Sequence, residues 1–395
     1  MSGAAETRAL ARALSAAESA RIARAVALVD ALPERGEADA LIAPLRGRLA
    51  ALRIGRRVNF GRLLFLPLDP VIVPARDWKP ESARLPRTAL APLIAGVRAA
   101  LGPAAVPLCQ ALAECPDAGT AGARLGPALW SQAVAPLLGM AESGVPGWEA
   151  TGLPAAAAAP LTLGVATVLE AWPGLGPLAA GADRRALAEA ALRQASAVGP
   201  LAWSLMAAVA LARAPDPVVV AQVAADQAET SGPDLHRAMG QVLEVTIAGL
   251  EREAAAPAAE AALAVHRAAR LVAALADRGG AAQRAALGGF ALRLDASCRA
   301  RVVAECRSDL LAPLAALTGA ASDATVNGFE ATARGLRDLA QEARRIGGAA
   351  AYDAALRDTA EQVRNAATAL ALIDRARLVE ILDGPEAGMA VLAAA

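Results

Sequence analysis

Apolar residues in this chain recur again and again at the spacing of one helix face, and proline or glycine ends each run after about 15 to 25 residues. The clearest run begins at Val326. Val326, Phe329, Ala333, Leu336, Ala340 and Ala343 alternate steps of three and four, while Arg334, Asp338, Gln341 and Arg345 take the opposite side. Gly347 and Gly348 break that run. A second stripe follows through Tyr352, Leu356, Thr359, Val363, Ala366, Leu370 and Ile373. Two such helices joined by a diglycine predict an antiparallel hairpin that buries its own seam over 322–376.

The same unit predicts helices upstream, over 6–31, 37–53, 88–101, 104–114, 123–141, 155–171, 183–198, 201–213, 217–230, 234–254, 257–278, 281–293 and 297–317. Many open on Asp or Pro and close on Gly. Strand alternation is unconvincing throughout. Over 63–87, Pro67, Pro70 and Pro74 would strip donors from a central strand, so that stretch reads as irregular or edge-type. The expected fold is all-α: successive antiparallel hairpins, as an irregular array or a solenoid-like bundle, with one proline-rich segment. The expected division is 1–92, holding the N-terminal helices and the basic, proline-rich segment, and 93–395, the hairpin array. His-Arg-Ala at 236–238 and 266–268 and Cys-Arg-Ala at 298–300 hint at a repeat, but chance produces such echoes in an Ala- and Arg-rich chain.

Charge excludes less than chemistry does. The 39 basic and 39 acidic residues cancel, so no global field draws the chain to nucleic acid or to a membrane. Arginine supplies all of the basic residues but one, which GC-rich codons explain. A lone lysine, Lys79, sits in no Walker A loop, and it makes kinase and Schiff-base chemistry improbable. His236 and His266 stand outside any zinc-ligand spacing, and no G-x-S-x-G elbow, dinucleotide fingerprint or Asp-Asp pair occurs. Cys109, Cys115, Cys298 and Cys306 form no C-x-x-C and read as free thiols. No metal, cofactor or catalytic residue is expected. Weak pairings remain, His236 with Asp234 or Glu244 and His266 with Cys298 or Cys306, and packed side chains are the plainer reading of each.

The chain departs furthest from its Ala/Leu/Arg monotony between Arg46 and Lys79. Six arginines, Arg46, Arg48, Arg53, Arg56, Arg57 and Arg62, lie in the first half of that stretch with no carboxylate between Asp39 and Asp69, and Phe60, Phe65, Trp78 and Lys79 stand among and after them. Arg53, Arg56, Arg57, Phe60, Arg62, Trp78 and Lys79 are therefore the expected partner- or anion-binding residues, with the aromatic rings as an apolar floor. The competing role is internal, with Phe65, Leu66 and Ile72 plugging the helical array and the arginines pairing with Glu114, Asp117 or Glu142. Trp130, Trp148, Trp172 and Trp203 read as core anchors, with Trp148 and Trp172, beside glycine and proline, the more exposed.

The expectation for function is a non-catalytic, cytoplasmic, bacterial-type interaction or scaffold protein whose partner is another protein. Two rivals stand against it. One is a helical enzyme using carboxylates and arginines on a small anionic substrate, which a cavity with at least two buried carboxylates would favour. The other is a membrane-peripheral protein held through its basic N-terminal third, which an exposed apolar patch beside Arg53–Arg62 would favour. Of three uncharged runs, 125–141, 150–169 and 194–212, none is apolar enough to predict a spanning helix.

Overall fold

The computed structural model describes residues 58–80, 82–175, 183–214, 216–366 and 370–394, together with Ile22, Arg24 and Ala25. The chain is all-α. The short α1 (Phe60–Leu64) leads into an irregular segment, then come α2 (Leu90–Leu101), α3 (Ala105–Ala113) and α4 (Ala118–Ser143). The middle of the chain holds α5 (Ala158–Leu175), α6 (Arg184–Val198), α7 (Pro200–Arg213), α8 (Val218–Thr230), α9 (Pro233–Ala254) and α10 (Ala258–Leu275). Last are α11 (Ala281–Glu305), α12 (Ala312–Ala315), α13 (Asp323–Ala343), α14 (Ala349–Ala366), α15 (Leu372–Asp383) and α16 (Pro385–Ala393).

Local chemistry sets the helix ends. Asp117, Asp183 and Ser322 cap α4, α6 and α13, each side chain accepting from the backbone N–H three residues on. Pro200, Pro233 and Pro385 open α7, α9 and α16, where a missing N–H costs nothing. At the other ends, arginines reach in from elsewhere. Arg267 of α10 donates to the carbonyls of Leu211 (3.1 Å) and Ala212 (2.7 Å), which end α7. Arg301 of α11 donates to those of Ala254 and Ala256 at the close of α9. Arg337 of α13 donates to those of Glu380 (3.2 Å) and Ile381 (2.6 Å) in the last turn of α15. Carbonyls of a last turn lack donors within their own helix, and one planar guanidinium serves two at once. The arginine excess thus has a structural use besides its codons.

Packing runs along a spine. α4 lies on α5, α5 on α7, α7 on α9, α9 on α10, and α10 on α13, which also meets α15; α6 and α8 touch beside it, and α11 covers α10 and α13. Buried apolar residues from Val58 to Val391 form one contiguous core, with Trp203, Tyr352 and Phe290 its largest fully buried side chains. α13 approaches α10 closely at Gly335, where a Cβ would stand 3.1 Å from the backbone nitrogen of Ala259. Trp148, read as exposed, is in this core, its indole N–H donating to the Pro154 carbonyl.

Several expectations change. α13 and α14 form where the stripes place them, with Phe329, Leu336, Tyr352, Leu356 and Val363 buried. They do not bury one another, because α13 packs chiefly on α10 and α14 on α15. A stripe fixes which face is buried without saying against what. Ile373, expected on the seam, belongs to α15 and is 69% exposed. α11 runs unbroken through the expected gap between 293 and 297, since Asp295 is a buried acceptor and not a helix opener. After Glu305 the ladder widens into a π turn over Cys306–Leu311, directly before Pro313, which has no N–H to return to Asp309. The tripeptide echoes share no role: Arg237 pairs with Asp234, Arg267 caps α7, and Arg299 pairs with Asp295.

The proline-rich stretch is irregular, as its composition requires. Its two strands are β1 (Ile72–Val73) and β2 (Leu85–Pro86), which pair in parallel with Ile72 opposite Leu85. Phe60, Leu63, Leu64, Phe65, Leu68 and Val71 are buried in the common core. Two long-range bonds hold the backbone, from the Trp130 indole to the Leu63 carbonyl (2.9 Å) and from Arg213 to the Leu66 carbonyl (2.7 Å).

Candidate functional site

α2 and α3 expose what most helices here bury. The stretch Arg87–Ala113 is long and apolar enough to cross a membrane by length and composition, yet only 22% of its most apolar window is buried. It is not one rod. The 3-10 turn Gly102–Ala104, with Gly102 at φ 52°, separates α2 from α3. α2 turns Leu93 and Val97 inward, and α3 turns Ala105 and Leu112 inward. Outward, the pair lines an open groove of about 1050 Å³ with Ile94, Ala95, Arg98, Ala99, Val106 and Cys109 among its walls. Val106 is 57% exposed. A second stretch of similar composition, Ala155–Leu175, is 44% buried and carries part of the spine.

Charge within the α2–α3 stretch is of one sign, with Glu114, 75% exposed, directly after α3. From Ser82 to Ala113 the sequence has Arg84, Arg87 and Arg98 and no carboxylate. Arg84 is spent on Glu244 at 3.2 Å. Arg98, on the groove wall, has no ion-pair partner among the described residues.

Of the residues expected to bind a partner, Arg53, Arg56 and Arg57 lie outside the described residues. Phe60 is buried in the core. Arg62 is half-buried in α1, its backbone N–H taken by the Asn59 side chain. Trp78 is half-buried with its indole N–H unpartnered, and Lys79 is exposed beside it. The segment does reach the groove: a Cβ on Gly61 would meet Ile94 at 2.6 Å, so α1 lies against the groove's edge. Glu114 pairs with Arg124, and Asp117 caps α4, so two of the three acids offered to the arginines serve other groups.

The weak catalytic pairings do not assemble. His266 meets Glu342 at 2.9 Å, and Arg345 meets the same carboxylate at 3.2 Å, so neither Cys298 nor Cys306 is the partner. Asp234 pairs with Arg237 and Glu244 with Arg84, which leaves His236 without either. Asp295 is the one buried carboxylate among the described residues. It accepts from the Tyr352 hydroxyl at 2.9 Å and from Arg299 of its own helix, and Gly347 packs directly over it, where any Cβ would overlap its oxygens. Burial, then the Asp295 bond, pushes the Tyr352 phenol above its ordinary range. Burial pushes the Cys298 thiol up to about 11. Groups held this far from ionisation lock α11 to α14; they are poorly placed to trade protons near neutrality. The groove was missed in the sequence because its α2 wall is alanine (Ala91, Ala95, Ala99), which does not mark an exposed face beside the large apolar stripe of Leu93 and Val97. No protein-family model, curated protein or solved structure matches this chain.

Proposed function

We propose that this chain works by surface contact in the cytoplasm, as an interaction protein without chemistry of its own, and that the α2–α3 face is where contact is made. The observation that carries this reading is the outward exposure of the alanine-lined groove around Val106, along a stretch whose most apolar window is only 22% buried. The frame behind it suits a scaffold. α4 with α5, α6 with α7, and α9 with α10 are sequence neighbours that pack together, which supports stacked hairpins as the unit of the array, while α13 with α14 departs from it. The engagement of Asp295 by Tyr352 and Arg299 gives the enzyme reading no support.

Affinity capture from the native cell with the full chain and with Ala95→Asp/Val106→Asp tests the proposal. A specific assembly, protein or membrane, should be retained by the first and lost by the second at unchanged melting temperature. Identical capture by both would refute it.

A further inference from the structure

We infer that the α2–α3 face seats on an anionic lipid surface, an inference that rests on the contact reading above and names what is contacted. Length argues first. α2 has 12 residues, so it rises about 18 Å, well short of the roughly 30 Å hydrocarbon core. Neither α2 nor α3 spans a bilayer alone, and the turn at Gly102 bends the pair. Such a pair fits lying in the interface, apolar side down.

Shape argues second. The groove walls carry alanines, Ile94, Val106, Cys109 and one amide, Gln110, with no ring among them and no enclosed slot for a partner's aromatic anchor. Protein interfaces concentrate their affinity in such slots. Lipid tails fill a shallow apolar face without them.

Charge argues third, and it separates the two partners best. A protein partner needs complementarity only where it touches. A negatively charged membrane repels every carboxylate near its surface; the stretch from Ser82 to Ala113 has none, and Glu114, just past the end of α3, is paired with Arg124 at 3.6 Å. Arg98 stands on the groove wall without a partner among the described residues, placed to meet a phosphate or carboxylate headgroup.

The test is flotation of the full chain with vesicles of equal parts phosphatidylcholine and phosphatidylglycerol, and with vesicles of phosphatidylcholine alone. The chain should float with the mixed vesicles, several-fold less with the neutral ones, and less with either at high salt. Arg98→Glu should weaken binding to the mixed vesicles about tenfold or more, since it removes one attraction and adds one repulsion. Val106→Asp, at a side chain 57% exposed, should abolish it with the helical signal and melting temperature unchanged. A wild-type chain that stays in solution with both vesicle types overturns the inference. In that event, self-association or protein capture that Val106→Asp removes would leave the contact reading standing; no effect of Val106→Asp in any of these assays would sink both.

Discussion

Replacing Tyr352 with phenylalanine tests whether the buried carboxylate of α11 is what fastens α14. Tyr352 is 1% exposed, and its hydroxyl lies 2.9 Å from Asp295 Oδ1 and 3.0 Å from the Asp295 carbonyl. One proton serves mainly one of them, and the charged oxygen is the better acceptor. Removal leaves a carboxylate that is 5% exposed with Arg299 as its remaining side-chain donor. A bond to a charged group is worth about 1.5–3 kcal/mol, so Tyr352→Phe should destabilise by that amount. In an Asp295→Ala background the hydroxyl turns to the carbonyl, a neutral bond worth about 0.5–1.5 kcal/mol, and the same substitution should cost only that. The difference, about 1 kcal/mol or more, is the coupling between the two side chains. Urea unfolding followed by circular dichroism gives all four stabilities as midpoint shifts at constant slope. A cost below about 0.5 kcal/mol in the parent, or equal costs in both backgrounds, would refute the argument that the carboxylate is the partner that matters.

Other outcomes follow from the same geometry. Leu336→Ala, at a fully buried position of α13, should cost about 2–5 kcal/mol, whereas Arg334→Ala, which loses a half-exposed pair with Glu330, should cost well under 1 kcal/mol by chemical denaturation. Arg267→Lys should cost about 1–2 kcal/mol, because an ammonium cannot serve the Leu211 and Ala212 carbonyls and Glu253 together. Stability should fall on alkaline titration. Cys298 and Tyr352 keep their protons when folded and lose them sooner when unfolded, so their contribution is complete below about pH 8.5, declines above it, and for Cys298 is gone beyond about pH 11. Melting temperatures against pH should show this decline, and Cys298→Ala/Tyr352→Phe should flatten it. Chelator plus reductant should leave the circular dichroism spectrum unchanged; a large loss of helix would contradict the reading of the cysteines as free thiols.

Helices were legible wherever large apolar residues stood against charges, as in α9, α10, α13 and α14. Legibility failed where small residues or a single polar one carried a tertiary meaning. α4 starts ahead of its expected boundary because Gly122 lets Leu66 approach and Asp117 caps the end, and glycine in sequence looks only like a breaker. The expected break between 293 and 297 falls at Asp295, whose donor, Tyr352, is remote in sequence. Phe60 and Phe65 were read as the floor of a binding site, and the structure packs both into the core, because unusual residues mark an unusual backbone whichever way they face. The exposure of α2 and α3 was not legible because the outward face of α2 is alanine (Ala91, Ala95, Ala99), a residue that marks neither a buried nor an exposed face.

The arginines that finish helix ends also set an order of events during synthesis. The last carbonyls of α7 wait for Arg267, 55 and 56 residues downstream, and those of α9 wait for Arg301, 45 and 47 residues downstream. At about 5–20 residues per second, α7 leaves the ribosome roughly 3–11 s before its final donor exists. Each hairpin of the middle region is therefore incomplete while nascent and is sealed by a successor. A chain halted after α9 carries two helix ends open to water, and the finished molecule carries neither.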